Sequence, residues 1–307
     1  MIHKEYDTKC APSKKYTDGS CFTIDVLKKI ALNYNNKNTK NKIDLNLTKP
    51  ELVNELEKRL ADKCSDQTCW IRLDIVKELD NPDIVHNTFK PKGPPGKYEW
   101  LTTTHINAVI NQYHTVYKDF LFLGAVPVDF DELPILGIHN LNFDTLKSNG
   151  KTKIGLIINL DEHWKDGSHW VALYNDIIKN QIYYFDSLGK EPPKRIRKFI
   201  NKMTKYLYSN KYNINLPIND VISDLKKMHT SKINKNTKVH LNNLLNGQFD
   251  IKYNHIQHQF EDSECGVYSM NFILNLVKGN SFEYVTKNIK SDEEMNGMRK
   301  EFFRNVN

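Results

Sequence analysis

Residues 265–277, CGVYSMNFILNLV, are apolar around most of a helical wheel. A helix without a polar face has to be enclosed on most sides, so the remaining elements must be layers that pack around it. Those layers are legible upstream. KIGLIINL (153–160) is a continuous apolar run of strand length, and HWVALYN (169–175) and QIYYFDS (181–187) are two more strands joined by a short turn. DFLFLGAVPVDF (119–130) holds another strand, and FDIKYNHIQHQ (249–259) reads as the last one before the apolar helix. WLTTTHINAVINQYHTVY (100–117) and the Pro-started basic segment PPKRIRKFINKMTKYLY (192–208) read as helices, with two more near 281–289 and 292–304. The expected fold class is α+β, a mixed sheet packed against a central helix.

The first part of the 307-residue chain has a different texture. It ends in the Pro/Gly-rich stretch KPKGPPGK, which sets a boundary between a mainly helical accessory domain, 1–96, and a second domain, 97–307. LTKPELVNELEKRL (47–60) is an amphipathic helix with Thr48 as N-cap, and CWIRLDIVKEL (69–79) reads as another. A polar insert fills roughly 210–246.

Hydrophobic residues at 39%, with 14 Phe and 15 Tyr, exclude a disordered chain. A net charge of +7, spread along the chain, permits weak nucleic-acid contact but concentrates nowhere. No apolar run reaches membrane-spanning length, and the polar start MIHKEYDTKC is no secretory leader, so no membrane association is expected. Five cysteines in such a chain imply a reducing, intracellular setting with free thiols. Cys10, Cys21, Cys64 and Cys69 leave four zinc ligands open as an alternative, although their spacing fits no common finger.

The chemistry gathers at strand ends. His169 opens one strand and Asp186 ends the next, so antiparallel pairing makes them neighbours. Gln259 ends a later strand and Cys265 begins the apolar helix, where unpaired N–H groups favour a thiolate. A thiol, an imidazole to take its proton, a carboxylate to hold the imidazole and an amide to receive an oxyanion are the parts of a cysteine nucleophile site. Glu261, Asp262 and Glu264 work against ionising a nearby thiol, so an ion pair with His169 has to outweigh them. Neither this chemistry nor these residues require a metal or cofactor.

The ordered motifs GSHWVALY, IYYFDS and Q-x5-C-G-x-Y resemble the SUMO-protease (sentrin-specific protease) superfamily, which includes the adenovirus protease and processing proteases of large DNA viruses. The resemblance covers roughly 98–280. It implies a papain-like catalytic domain with His169 as general base, Asp186 as its orienting carboxylate, Gln259 as the oxyanion-hole amide and Cys265 as nucleophile. It also implies that Trp100 and Trp170 bind substrate, as the two rings that wall a tunnel passing only a Gly-Gly tail. Thr102-Thr103 replace the Asn-Asp usual after the first tryptophan, and Glu264 replaces an Asp. KYTDGSCFT (15–23) is similar to the N-terminal extension of proteases from giant and African-swine-fever-like viruses. By that resemblance the substrate is a viral structural precursor cut after Gly-Gly during virion maturation, in the virion or host cytoplasm. The alternatives are removal of ubiquitin- or SUMO-like modifiers, acetyl transfer through the same cysteine, and a non-enzymatic module that binds nucleic acid or protein.

Overall fold

The structure is a computed structural model that describes residues 9–212 and 249–305. The chain divides into two compact units, one of residues 1–97, 111–116 and 297–307, the other of 98–110 and 117–296. The sequence reading gave all of 97–307 to one domain; the segments 111–116 and 297–307 belong instead to the first unit. Gln112 shows what holds the first of them, since its amide donates to the carbonyls of His86 at 2.6 Å and Phe89 at 2.8 Å. Arg304 does the same for the other by donating to Lys90 O at 2.5 Å.

In the first unit, α1 (Ile24–Lys37) and α2 (Lys49–Leu60) are the principal helices. Glu51 accepts from the Thr48 backbone N–H at 2.9 Å, closing the start of α2. The segment read as one helix over 69–79 is broken into α3 (Gln67–Trp70) and α4 (Asp74–Lys77), followed by α5 (Pro82–Asn87). Leu27, Ile30, Leu52, Leu56 and Trp70 form the core, with Phe22 against Trp70 and Phe89.

The expectation of free thiols fails here. Cys10 is bonded to Cys21 and Cys64 to Cys69, with 5.5 Å between Cα atoms in each pair. Those separations lie within disulfide reach, a fact of the folded chain that linear spacing does not contain. The same pairing removes the zinc alternative, and among the described residues no cluster of three or more His, Cys, Asp or Glu is placed to hold a metal. Cys265 is the one cysteine left unpaired.

The second unit begins with most of α6 (Thr103–Gln112) and is built on five strands, β1 (Phe120–Pro127), β2 (Lys153–Asn159), β3 (Trp170–Asp176), β4 (Gln181–Phe185) and β5 (Asp250–Tyr253). They lie in chain order, with β1–β2 and β4–β5 parallel and β2–β3 and β3–β4 antiparallel. The short α7 (Phe143–Ser148) precedes β2. Every residue of β3 is buried, because both faces of the sheet are covered. Ile154, Leu156, Ile158, Val171 and Leu173 share a core with Ile196, Phe199 and Met203 of α8 (Lys194–Tyr212). The apolar helix, α9 (Cys265–Val277), packs on β2 and β3, and its Phe272 stacks on Phe185 of β4 at 4.8 Å. Gly155 admits it: a Cβ there would meet Ile273 at 3.2 Å and the Phe120 ring at 3.0 Å.

The short helices α10 (Phe282–Lys287), α11 (Asp292–Gly297) and α12 (Arg299–Phe302) end the chain. The last strand stops at Tyr253 rather than running on to Gln259. The polar insert at 210–246 lies almost wholly outside the described residues. Within the described residues no helix is long and apolar enough to cross a membrane.

Candidate active site

The β3–β4 register pairs Ala172 with Phe185, which brings the residue before β3 beside the residue after β4. Extended by one step, that register sets Asp186 opposite Val171, two residues from His169, and across this diagonal His169 Nε2 and Asp186 Oδ1 are 2.7 Å apart. Asp186 is buried, held through its main chain and Oδ1, while Oδ2 is buried without a hydrogen-bond partner among the described residues. Its backbone N–H donates to Asn254 Oδ1 at 2.9 Å, and Asn254 Nδ2 donates back to Asp186 O at 2.7 Å. Leu188 N adds a second donor to Oδ1 at 2.8 Å. Because the carboxylate takes Nε2–H, the ring's Nδ1 edge is left for the thiol.

Cys265 is the first residue of α9, and its side chain is near enough to His169 to act on the protonation of the ring. Burial pulls the His169 pKa down, but the hydrogen bonds to Asp186 and Cys265 and the negative charge on both outweigh it and raise the value to about 9. An imidazole in that range stays protonated at neutral pH. Gly266 follows because Leu101 lies against the first turn of α9: a Cβ at 266 would be 3.1 Å from Leu101 Cβ.

Gln259 is fixed to Ser187, the residue after Asp186, without a strand to carry it. Its backbone N–H and that of His258 both donate to Ser187 O, at 2.9 and 2.7 Å. Ser187 Oγ donates to Gln259 Oε1 at 2.7 Å, which fixes which end of the amide is the donor. Gln259 Nε2 donates to Glu261 O at 2.5 Å, leaving its second hydrogen. Glu264, beside the thiol in sequence, is buried with Oε1 accepting from Ser263 Oγ and Asn296 Nδ2, each at 2.9 Å.

Trp170 is buried, and its Nε1 donates to Leu101 O at 2.9 Å. Trp100 is 44% exposed. The two rings line one cleft of about 330 Å³ together with Thr102, Thr103, Asn159 and His163. Asn254 and Ser187 are the supporting residues that sequence reasoning passed over. Ser187 carried a signal, its place directly after Asp186, whereas Asn254 resembles any polar residue after a strand.

The region 151–307 matches the model of the Ulp1 protease family, C-terminal catalytic domain. A protein of Acanthamoeba polyphaga mimivirus, named as a candidate thiol protease, is 32% identical over 315 residues, covering 96% of this chain and 93% of its own. A protein of African swine fever virus named a SUMO-1 cysteine protease is 23% identical, covering 83% of this chain and 88% of the relative. The crystal structure of that virus's pS273R protease shares the fold at a TM-score of 0.55 and 21% identity, over 86% of this chain and 92% of that one. Family model and full-length relative agree, and the chain belongs to the Ulp1 family of cysteine proteases.

Proposed function

We propose that this protein is an endopeptidase of a large DNA virus that cuts structural precursors after paired glycines during virion maturation. The observation that carries the reading is the His169 ring, held by Asp186 at 2.7 Å and raised in pKa by that carboxylate and by the neighbouring Cys265, the sole unpaired cysteine. In this reading the Cys265 thiolate attacks the carbonyl carbon after glycine, and the carbonyl electron pair moves onto oxygen. The Cys265 backbone N–H and the free hydrogen of Gln259 Nε2 receive that charge. As the oxyanion collapses, the C–N bond breaks and His169 gives its proton to the departing amine. His169 then takes a proton from water, whose oxygen displaces sulfur and releases the acid. Trp100 and Trp170 wall the cleft that the glycines thread, since a Cβ has no room between flat rings.

The purified enzyme is expected to cleave Gly-Gly-Xaa peptides, and Cys265→Ala to abolish the cleavage; undiminished turnover by the variant ends the proposal. Exposure of Trp100 beside buried Trp170 also suits the C-terminal tail of a ubiquitin-like modifier. Rapid covalent capture of a SUMO- or ubiquitin-derived suicide probe, with no peptide cleavage, would favour that substrate instead.

A further inference from the structure

A second histidine–carboxylate pair lies in the cleft that Trp100 and Trp170 share. His163 Nδ1 is 2.6 Å from Asp129 Oδ2, and the His163 backbone N–H donates to Asp129 Oδ1 at 3.0 Å. One carboxylate therefore grips both the ring and the main chain of the same residue. Asp129 is 1% exposed. Burial works to raise its pKa, but the hydrogen bonds from His163 and the main chain outweigh it, so the carboxyl lies below its ordinary range.

The loop that carries His163 is braced along its length. Val128 N donates to Asp161 O at 3.1 Å and Leu160 N to His169 O at 2.9 Å. Asn159 Oδ1 accepts from Asp161 N at 3.0 Å and Ser168 N at 3.3 Å. Lys165 and Glu162 are paired at 2.7 Å. A loop that only connects two strands needs no buried ionised group aimed at one of its side chains. With Nδ1 turned to Asp129, Nε2 is the ring nitrogen left for the cleft, an acceptor in the Nδ1–H tautomer; it has no partner among the described residues, and the side chain is 49% exposed.

We infer that His163 is a specificity-determining residue: its Nε2 accepts a hydrogen bond from a hydroxyl, amide or ammonium donor on the substrate segment lying in the cleft. Asp161 and Asp166 line the same cleft beside the mutually paired Glu162 and Lys165, and the net negative charge disfavours a carboxylate at that place. The inference rests on the proposed peptidase reading, and it adds the chemical class of a substrate residue distinct from the glycines.

The test compares wild type with His163→Phe, which keeps a ring against Trp164 without a nitrogen, and His163→Gln, which keeps an acceptor near the Nε2 position. Each is given an unbiased peptide mixture with products identified by mass spectrometry, then assayed for kcat and KM on the best wild-type peptide. Wild type is expected to prefer Ser, Thr, Asn, Gln or Lys over Asp and Glu at one position near the cut. His163→Phe should raise KM about five-fold, the equivalent of one hydrogen bond, with kcat held and that preference flattened. His163→Gln should restore both. An unchanged preference, an unchanged KM, or a fall confined to kcat in His163→Phe overturns the inference. Cleavage away from Gly-Gly would defeat the proposed specificity while the His163 comparison still reads at the bond that is cut, and absence of any cleavage overturns both.

Discussion

His169 is largely enclosed and His258 is buried, yet burial and partners move them in opposite directions. For His169 the partners win over burial and the pKa rises to about 9, so the imidazolium is lost as pH climbs through that value. The expected outcome is an alkaline fall in kcat/KM near pH 9. Asp186→Asn, which removes the charge and leaves the shape, should move that limb toward neutrality and cut kcat by orders of magnitude; a pH–rate profile on both proteins checks it. The stability that His169 contributes through its partners is fully present below its ordinary pKa and drains away between there and about pH 9. His258 has burial working against its charge, relieved only in part by a backbone hydrogen bond with Thr286, and its Nε2 is buried without a partner against Phe185 and Tyr268. Its pKa is lowered, so the unfolded chain binds a proton that the folded one refuses, and stability falls as pH drops below about 6.5. His258→Phe is expected to flatten the thermal midpoint between pH 5 and 7, read by calorimetry.

At the scale of elements, the sequence carried the sheet and the central helix because their apolar runs match the two faces they bury. His169 and Asp186 were legible for the same reason, since strand pairing converts their chain positions into contact. Gln259 was reached by a wrong route. The strand stops at Tyr253 because the Asn254 side chain turns the chain out of the ladder, bonding both ways to the main chain of Asp186. Beyond it two N–H groups share the single carbonyl of Ser187, a geometry no period-2 pattern encodes. Gly189 is the pivot of this junction. Its φ is +70°, and an added Cβ would lie 2.8 Å from both Gln257 N and Ile256 C. Gly189→Ala should therefore cost at least about 1–3 kcal/mol and, by displacing the segment that ends in Gln259, lower kcat more than it raises KM. Denaturant unfolding and steady-state kinetics separate the two effects. The basic helix α8 was read as a nucleic-acid surface under the non-enzymatic alternative. Arg195, Arg197 and Lys198 are each paired with a carboxylate, on Glu132, Glu191 and Asp131, which leaves less charge for phosphate.

For the molecule as a whole, the largest departure from the sequence reading is in the sulfurs. The two disulfides close loops with sequence separations of 11 and 5 residues, both within the first unit. Loops that short are worth about 2–3 kcal/mol each by chain entropy, so a reductant should lower the thermal midpoint of that unit while leaving a thiol protease chemically competent. Scanning calorimetry with and without a phosphine reductant, alongside peptide turnover, tests this; an unchanged midpoint would mean that the bonds do not stabilise the protein in solution.

That pairing has a practical corollary. A maleimide dye applied without reductant has a single free thiol to find, the buried Cys265, which is the sulfur proposed to attack substrate. Counting fluorophores then counts working enzyme directly, and any inhibitor can be ranked by how much of the dye it keeps out.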